Sequence, residues 1–96
     1  MNEHIVDYIG KAALLEQTAE EASELSQACL KMARKIRGEN PTPKDTNDIL
    51  ENLSEEIADV GLCINELIDG KIISNKTIFD IATQKNKRWY ERVKGV

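Results

Sequence analysis

Both prolines of the chain lie in one seven-residue stretch, GENPTPK at positions 38–44, where Gly38 follows a basic turn and Pro41 and Pro43 flank Thr42. Proline removes an amide donor and clashes with the preceding helical turn, so this stretch is a connection and leaves both flanks free to form long helices. Upstream, Leu14, Thr18, Glu21, Leu25, Ala28 or Cys29, Met32 and Ile36 recur at helical spacing. With Lys and Arg in the last turn facing the helix C-terminus, a helix is expected from about residue 12 to 37, roughly 39 Å long at 1.5 Å per residue. Gly10 interrupts the pattern and leaves Glu3 to Ile9 room for a separate short helix.

Downstream, Asp45, Thr46 or Asn47 can cap a second helix that ends at Asp69-Gly70. Leu50, Leu53, Ile57, Val60, Gly61, Ile64 and Leu67 or Ile68 share one side, while Ala58, Leu62 and Cys63 point elsewhere. Such a helix is apolar over more of its circumference than a surface helix and is expected to touch two partners. Ser74 or Asn75 opens a third helix, with Ile78, Ala82, Trp89 and Val93 on one side and a basic end.

The 96 residues are enough for one small domain, 1–96, and its fold class is all-α. The expectation is an antiparallel helical bundle of three main helices plus the short N-terminal one, completed by oligomerisation. One Phe, two Tyr and one Trp give little bulk for a monomeric core, and the long first stripe needs more partner surface than two shorter helices supply. A dimer or a tetramer meets that need; a monomeric three-helix bundle is the competing view. Two Cys, neither in a Cys/His cluster, read as reduced thiols of a cytoplasmic protein, and the first residues lack the basic and apolar regions of an export signal. No membrane partner is expected.

Charge is segregated along the chain. Residues 1–30 carry six acids and one Lys, residues 31–37 four bases, residues 45–69 eight acids and no base, and residues 71–96 seven bases and two acids. The basic stretches can neutralise the acidic ones or flank an anionic ligand.

Within the acidic stretches, EExxE at Glu20, Glu21 and Glu24 is matched by EExxD at Glu55, Glu56 and Asp59. Residues three apart on a helix are neighbours, so Glu21 with Glu24 and Glu56 with Asp59 form like-charged pairs. At about 100° per residue Glu21 lies only about 40° from Leu25, inside the apolar stripe, whereas Glu20 lies about 140° away, nearer solvent. A carboxylate in a packed stripe needs a cation, a basic partner or a raised pKa. No base lies within helical reach beyond Glu24 until Lys31, and the second acidic segment has none. Antiparallel packing across the 38–44 turn would gather these acids around one point. Hard Mg2+, or Mn2+ in its place, prefers such oxygen ligands and keeps positions for water and phosphate. Di-iron chemistry is disfavoured because Glu-x-x-His elements are absent and His4, the one histidine, sits at the start and is expected to be exposed. Cys63, four residues after Asp59, reads as a packing thiol beneath the acids.

The third helix supplies Lys85, Asn86, Arg88 and Arg92 as candidate contacts to an anionic substrate, and Trp89 either stacks on a base or packs. Lys87 reads as solvated, and Met32 and Phe79 as ordinary packing residues. A non-catalytic interaction or nucleic-acid-binding bundle would explain the basic third helix but not the acids, and no specific nucleic-acid partner is expected.

EEASELSQACLKMARKIRG, ENLSEEIADVGLCINELI and NKRW together resemble the MazG-like all-α nucleoside triphosphate pyrophosphohydrolases over roughly residues 17 to 92. The resemblance implies a four-helix arrangement completed by dimerisation, and Mg2+-dependent hydrolysis of NTPs or dNTPs to monophosphate and pyrophosphate. It also implies Glu21, Glu24, Glu56 and Asp59 as metal ligands. Glu20 and Glu55 would position water or support those ligands, and Asn86 would contact nucleotide.

Overall fold

The computed structural model describes residues 3–39 and 45–95, and among them the chain is all-α, as expected. Its helices are α1 (Ile5–Ile9), α2 (Lys11–Arg37), α3 (Thr46–Asp69) and α4 (Asn75–Lys94). Residues 40–44, with both prolines of the expected connection, lie outside the described residues. No helix among the described residues is long and apolar enough to cross a membrane.

Local chemistry sets the boundaries. Gly10 breaks α1 from α2 at φ +88°, donating its N–H to the Val6 carbonyl at 2.9 Å while its own carbonyl accepts from Leu14 at 3.1 Å. Side chains rarely tolerate that backbone region, so glycine separates the two helices. Gly38 closes α2 in the left-handed region, and the Glu39 N–H reaches back to the Arg34 carbonyl at 3.0 Å. Asp45 caps α3 by accepting the Asn47 N–H at 3.1 Å, and the Ser74 hydroxyl caps α4 by accepting from Thr77 at 3.3 Å.

The main packing is α2 against α3, antiparallel: Leu14 near the start of α2 clusters with Leu67 near the end of α3, and Ala28 shares a groove with Asn52. Val6 of α1 joins the Leu14–Leu67 cluster, with Ile72 and Ile73 of the α3–α4 corner packed against it. The corner fits closely. A Cβ on Gly70 would stand 3.0 Å from both the Glu66 carbonyl and a Val6 methyl.

The expectation that His4 is exposed is corrected. It is half-buried, with Nδ1 3.6 Å from Asp69 and 3.9 Å from Glu66, while Glu66 accepts the Val6 N–H at 3.0 Å. The amide at the α1 N-terminus needs an acceptor, and a carboxylate sixty residues on supplies it.

The face that α3 turns to α2 also differs. Ile49, Cys63 and Leu67 are buried and Leu53, Glu56 and Val60 half-buried, whereas Leu50, Ile57, Leu62 and Ile64 are exposed. Leu53, Val60, Gly61 and Leu67 of the expected stripe are covered, but Ile49, Glu56 and Cys63 take the places of Leu50, Ile57 and Ile64, one position back, so the packed seam passes through Glu56. A helix apolar on two sides offers two nearly equivalent seams, and periodicity alone does not choose between them. On α2, Ala28 takes the packed place and Cys29 is exposed, as is Ile36, because the seam drifts toward half-buried Lys35 at the end of the helix.

α4 buries no residue: Ile78, Phe79, Ile81, Trp89, Tyr90 and Val93 are all exposed, so Phe79 is not the packing residue expected within one chain. The Cα radius of gyration is 17.0 Å, against about 13 Å for a compact domain of about 100 residues.

Candidate metal centre and the groove beside it

Midway along the α2–α3 seam two carboxylates face each other from opposite helices. Oε2 of Glu21 and Oε2 of Glu56 are both removed from solvent, and neither has a hydrogen-bond partner. Carboxylate oxygens of Glu21, Glu24 and Glu56 lie within 4.8 Å of one another. Gln17 orients Glu21: its amide donates to Glu21 Oε1 at 2.8 Å, one helical turn away. Among the described residues no Lys, Arg or His pairs with these acids; the ion pairs are His4 with Glu66 and Asp69, and Lys76 with Asp80.

Electrostatics follows from that geometry. Burial pushes the Glu21 carboxyl above the ordinary glutamate range, against the Gln17 hydrogen bond, with the charges of Glu24, Asp59 and Glu20 adding to the rise. Burial raises Glu56 likewise, reinforced by the charges of Glu24 and Asp59, by a side-chain hydrogen bond with Glu24 and by the charge of Glu21. Each carboxylate is thus held in a medium that disfavours its charge, among neighbours that disfavour it further.

The acids expected on sequence grounds therefore meet, in graded fashion. Glu21, Glu24 and Glu56 form the threesome; Asp59 is exposed and outside it, yet its charge acts on both buried carboxylates. Glu20 and Glu55 are exposed beside Glu21 and Glu56. Cys63 is buried in the same seam, as expected of a packing thiol.

A second group, His4, Glu66 and Asp69, also brings three ligating side chains within 4.8 Å. Its atoms are already engaged in docking α1, with Glu66 accepting the Val6 N–H and His4 beside both acids. The Glu21–Glu56 pair has no such structural use.

Lys85, Asn86, Arg88, Trp89 and Arg92, with Ala82 and Glu91, line one open hollow on α4. Trp89 is 64% exposed, and the neighbouring Tyr90 ring carries the Lys94 ammonium 5.6 Å from its centroid. No α4 residue belongs to the acidic threesome or to the groove described next.

That groove, of about 370 Å³, runs between α2 and α3 from Glu24 and Glu56 past Ala28 to Lys31, Arg34 and Asn52. Sequence reading does not single out these last three. Their signal is spacing: Lys31 stands seven residues after Glu24, close to the same helical face, and Asn52 stands four before Glu56.

Comparison of the chain with protein-family models, curated proteins and solved structures finds no match.

Proposed function

We propose that this chain is a metal-dependent nucleoside triphosphate pyrophosphohydrolase, converting NTPs or dNTPs to the monophosphate and pyrophosphate. The observation that carries the reading is the pair of buried, unpartnered carboxylate oxygens of Glu21 and Glu56, brought together from two helices beside Glu24. Gathering like charges away from water opposes folding, and a divalent cation removes that opposition. An all-oxygen donor set suits Mg2+, with Mn2+ as a substitute. Glu21, Glu24 and Glu56 would hold the ion, and Asp59 is the fourth ligand by resemblance. When bound, such an ion neutralises phosphate oxygens and supports water attack and leaving-group departure.

The chain's own residues supply the remaining steps. Glu20 and Glu55, exposed and adjacent to the proposed ligands, are the candidates to orient the attacking water and take its proton. Cleavage between the α and β phosphates rests on the MazG-like resemblance of residues 17 to 92. Lys85, Asn86, Arg88, Trp89 and Arg92 would contact the nucleotide.

Because α4 buries nothing within its own chain, the α4 that meets the acidic seam would come from another copy. Self-association to a dimer or tetramer would also cover Leu50, Ile57 and Ile64 of α3. The two free thiols accord with a cytoplasmic location. Calorimetric titration with Mn2+ tests the centre. The wild type should bind and Glu21→Gln and Glu56→Gln should bind at least about tenfold more weakly, whereas equal binding by all three folded proteins would refute the assignment.

A further inference from the structure

We infer that Lys31, Arg34 and Asn52 form a polyphosphate-binding arm, so that the phosphate chain of the substrate lies along the α2–α3 groove, away from the metal centre and toward the C-terminal end of α2. The inference rests on the proposed nucleotide chemistry and assigns the end of the site that receives the leaving pyrophosphate.

The groove has opposite chemistry at its two ends. Glu24 and Glu56 line one, Lys31 and Arg34 the other, and the buried Cβ of Ala28 leaves the floor low between them. Lys31 is half-buried, yet among the described residues neither Lys31 nor Arg34 pairs with an acid, although two glutamates line the same groove. Seven residues separate Glu24 from Lys31, about 10 Å along the helix. That separation keeps the charges from closing on each other and leaves room for an anion bridging a cation held by the glutamates and the two basic side chains.

The helix dipole gives bases near a helix C-terminus a structural use, and it accounts for the last-turn bases Arg34, Lys35 and Arg37, of which Arg34 alone also lines the groove. It does not account for Lys31, which lies nearly two turns from the end, inside the groove whose other end the glutamates line. Arg34 offers a planar fork suited to two phosphate oxygens, Lys31 a point charge, and the Asn52 amide a neutral donor from the opposite helix. A multiply charged chain of phosphates engages all three together with a metal; a single carboxylate or monophosphate does not span them. Since every member belongs to one chain, this arm does not depend on α4 or on a second copy.

The test uses inorganic tripolyphosphate, titrated calorimetrically into the full chain saturated with Mn2+ after Mn2+ alone has been titrated into each variant. Lys31→Gln/Arg34→Gln should keep the wild-type Mn2+ affinity, which also reports its fold, and lose about tenfold in tripolyphosphate affinity for each cation removed. Lys35→Gln/Arg37→Gln removes the same charge from the same helix end outside the groove and should stay within about threefold of wild type. Unchanged tripolyphosphate binding by the first variant, or equal losses in both, would overturn the inference. If the wild type takes up no Mn2+, the metal reading fails by itself, and the titration is repeated in EDTA. There a Lys31/Arg34-dependent affinity sustains the arm, and its absence overturns it.

Discussion

Truncating Ile49 and Ile57 separately tests where the core of this chain ends. Ile49 is 1% exposed, the one large side chain fully removed from solvent among the described residues, whereas Ile57, two turns on along α3, is 55% exposed. Ile49→Ala deletes three buried carbons, about 2.4 kcal/mol at about 0.8 kcal/mol each. The residual cavity adds to this and the better helix propensity of Ala subtracts a few tenths, so a loss of about 2–4 kcal/mol is expected. That is a large part of the roughly 5–15 kcal/mol of an ordinary domain. Ile57→Ala should cost less than about 0.5 kcal/mol if its face meets only water, and more than about 1 kcal/mol if a second copy covers it. Urea unfolding followed by circular dichroism, at two protein concentrations about a hundredfold apart, separates these cases. A dimer loses about 2.7 kcal/mol of apparent stability on that dilution, and the Ile57→Ala deficit should appear only at the higher concentration. An Ile49→Ala loss below about 1 kcal/mol would refute the α2–α3 seam as the core. Concentration-independent unfolding with a silent Ile57→Ala would refute the shared interface.

Three further outcomes follow from the structure. Glu21 and Glu56 have raised pKa values in the folded chain, so above about pH 4.5 the metal-free protein holds more protons than the unfolded chain, and its stability falls as pH rises through that window. Urea midpoints measured in EDTA should therefore drop with pH relative to a Glu21→Gln/Glu56→Gln variant, and Mg2+ should abolish the drop; a parallel pH dependence of the two proteins would contradict it. Gly70→Ala should destabilise by about 1–3 kcal/mol, because the new methyl stands 3.0 Å from a backbone carbonyl and from Val6. Gly61→Ala, whose Cβ meets nothing within 4 Å inside the chain, should stabilise the isolated chain by up to about 1 kcal/mol, as thermal denaturation at low concentration would show.

The helices were legible in the sequence because their ends are written in residues with local physical meaning. Asp45 and Ser74 cap, Gly10 and Gly38 adopt positive φ, and Gly70 sits where a side chain would collide. The half-burial of Glu21 was legible too, since its phase relative to Leu25 places it in the seam. The face of α3 was legible only in part, through Leu53, Val60 and Leu67. Ile49 and Leu50 are adjacent, about 100° apart, and each begins an apolar stripe, so only the shape of α2 decides which is buried. The docking of His4 and the Val6 amide on α3 joins residues some sixty apart and has no local signature. Lys31 and Arg34 were hidden in a basic run, residues 31–37, whose last-turn members Arg34, Lys35 and Arg37 the end of a helix already explains. Periodicity likewise marks which α4 residues share a face without marking what covers that face.

Incubating the folded protein and Mg2+ with each canonical NTP and dNTP, and resolving the products, tests the proposed reaction. Mg2+-dependent release of the matching monophosphate and pyrophosphate in equal amounts is expected, lost in Glu21→Gln at unchanged helicity. Diphosphate with orthophosphate would place the cut at the other bond, and no turnover on any nucleotide, with metal bound and the fold verified, would contradict the enzymatic reading and leave a helical interaction module.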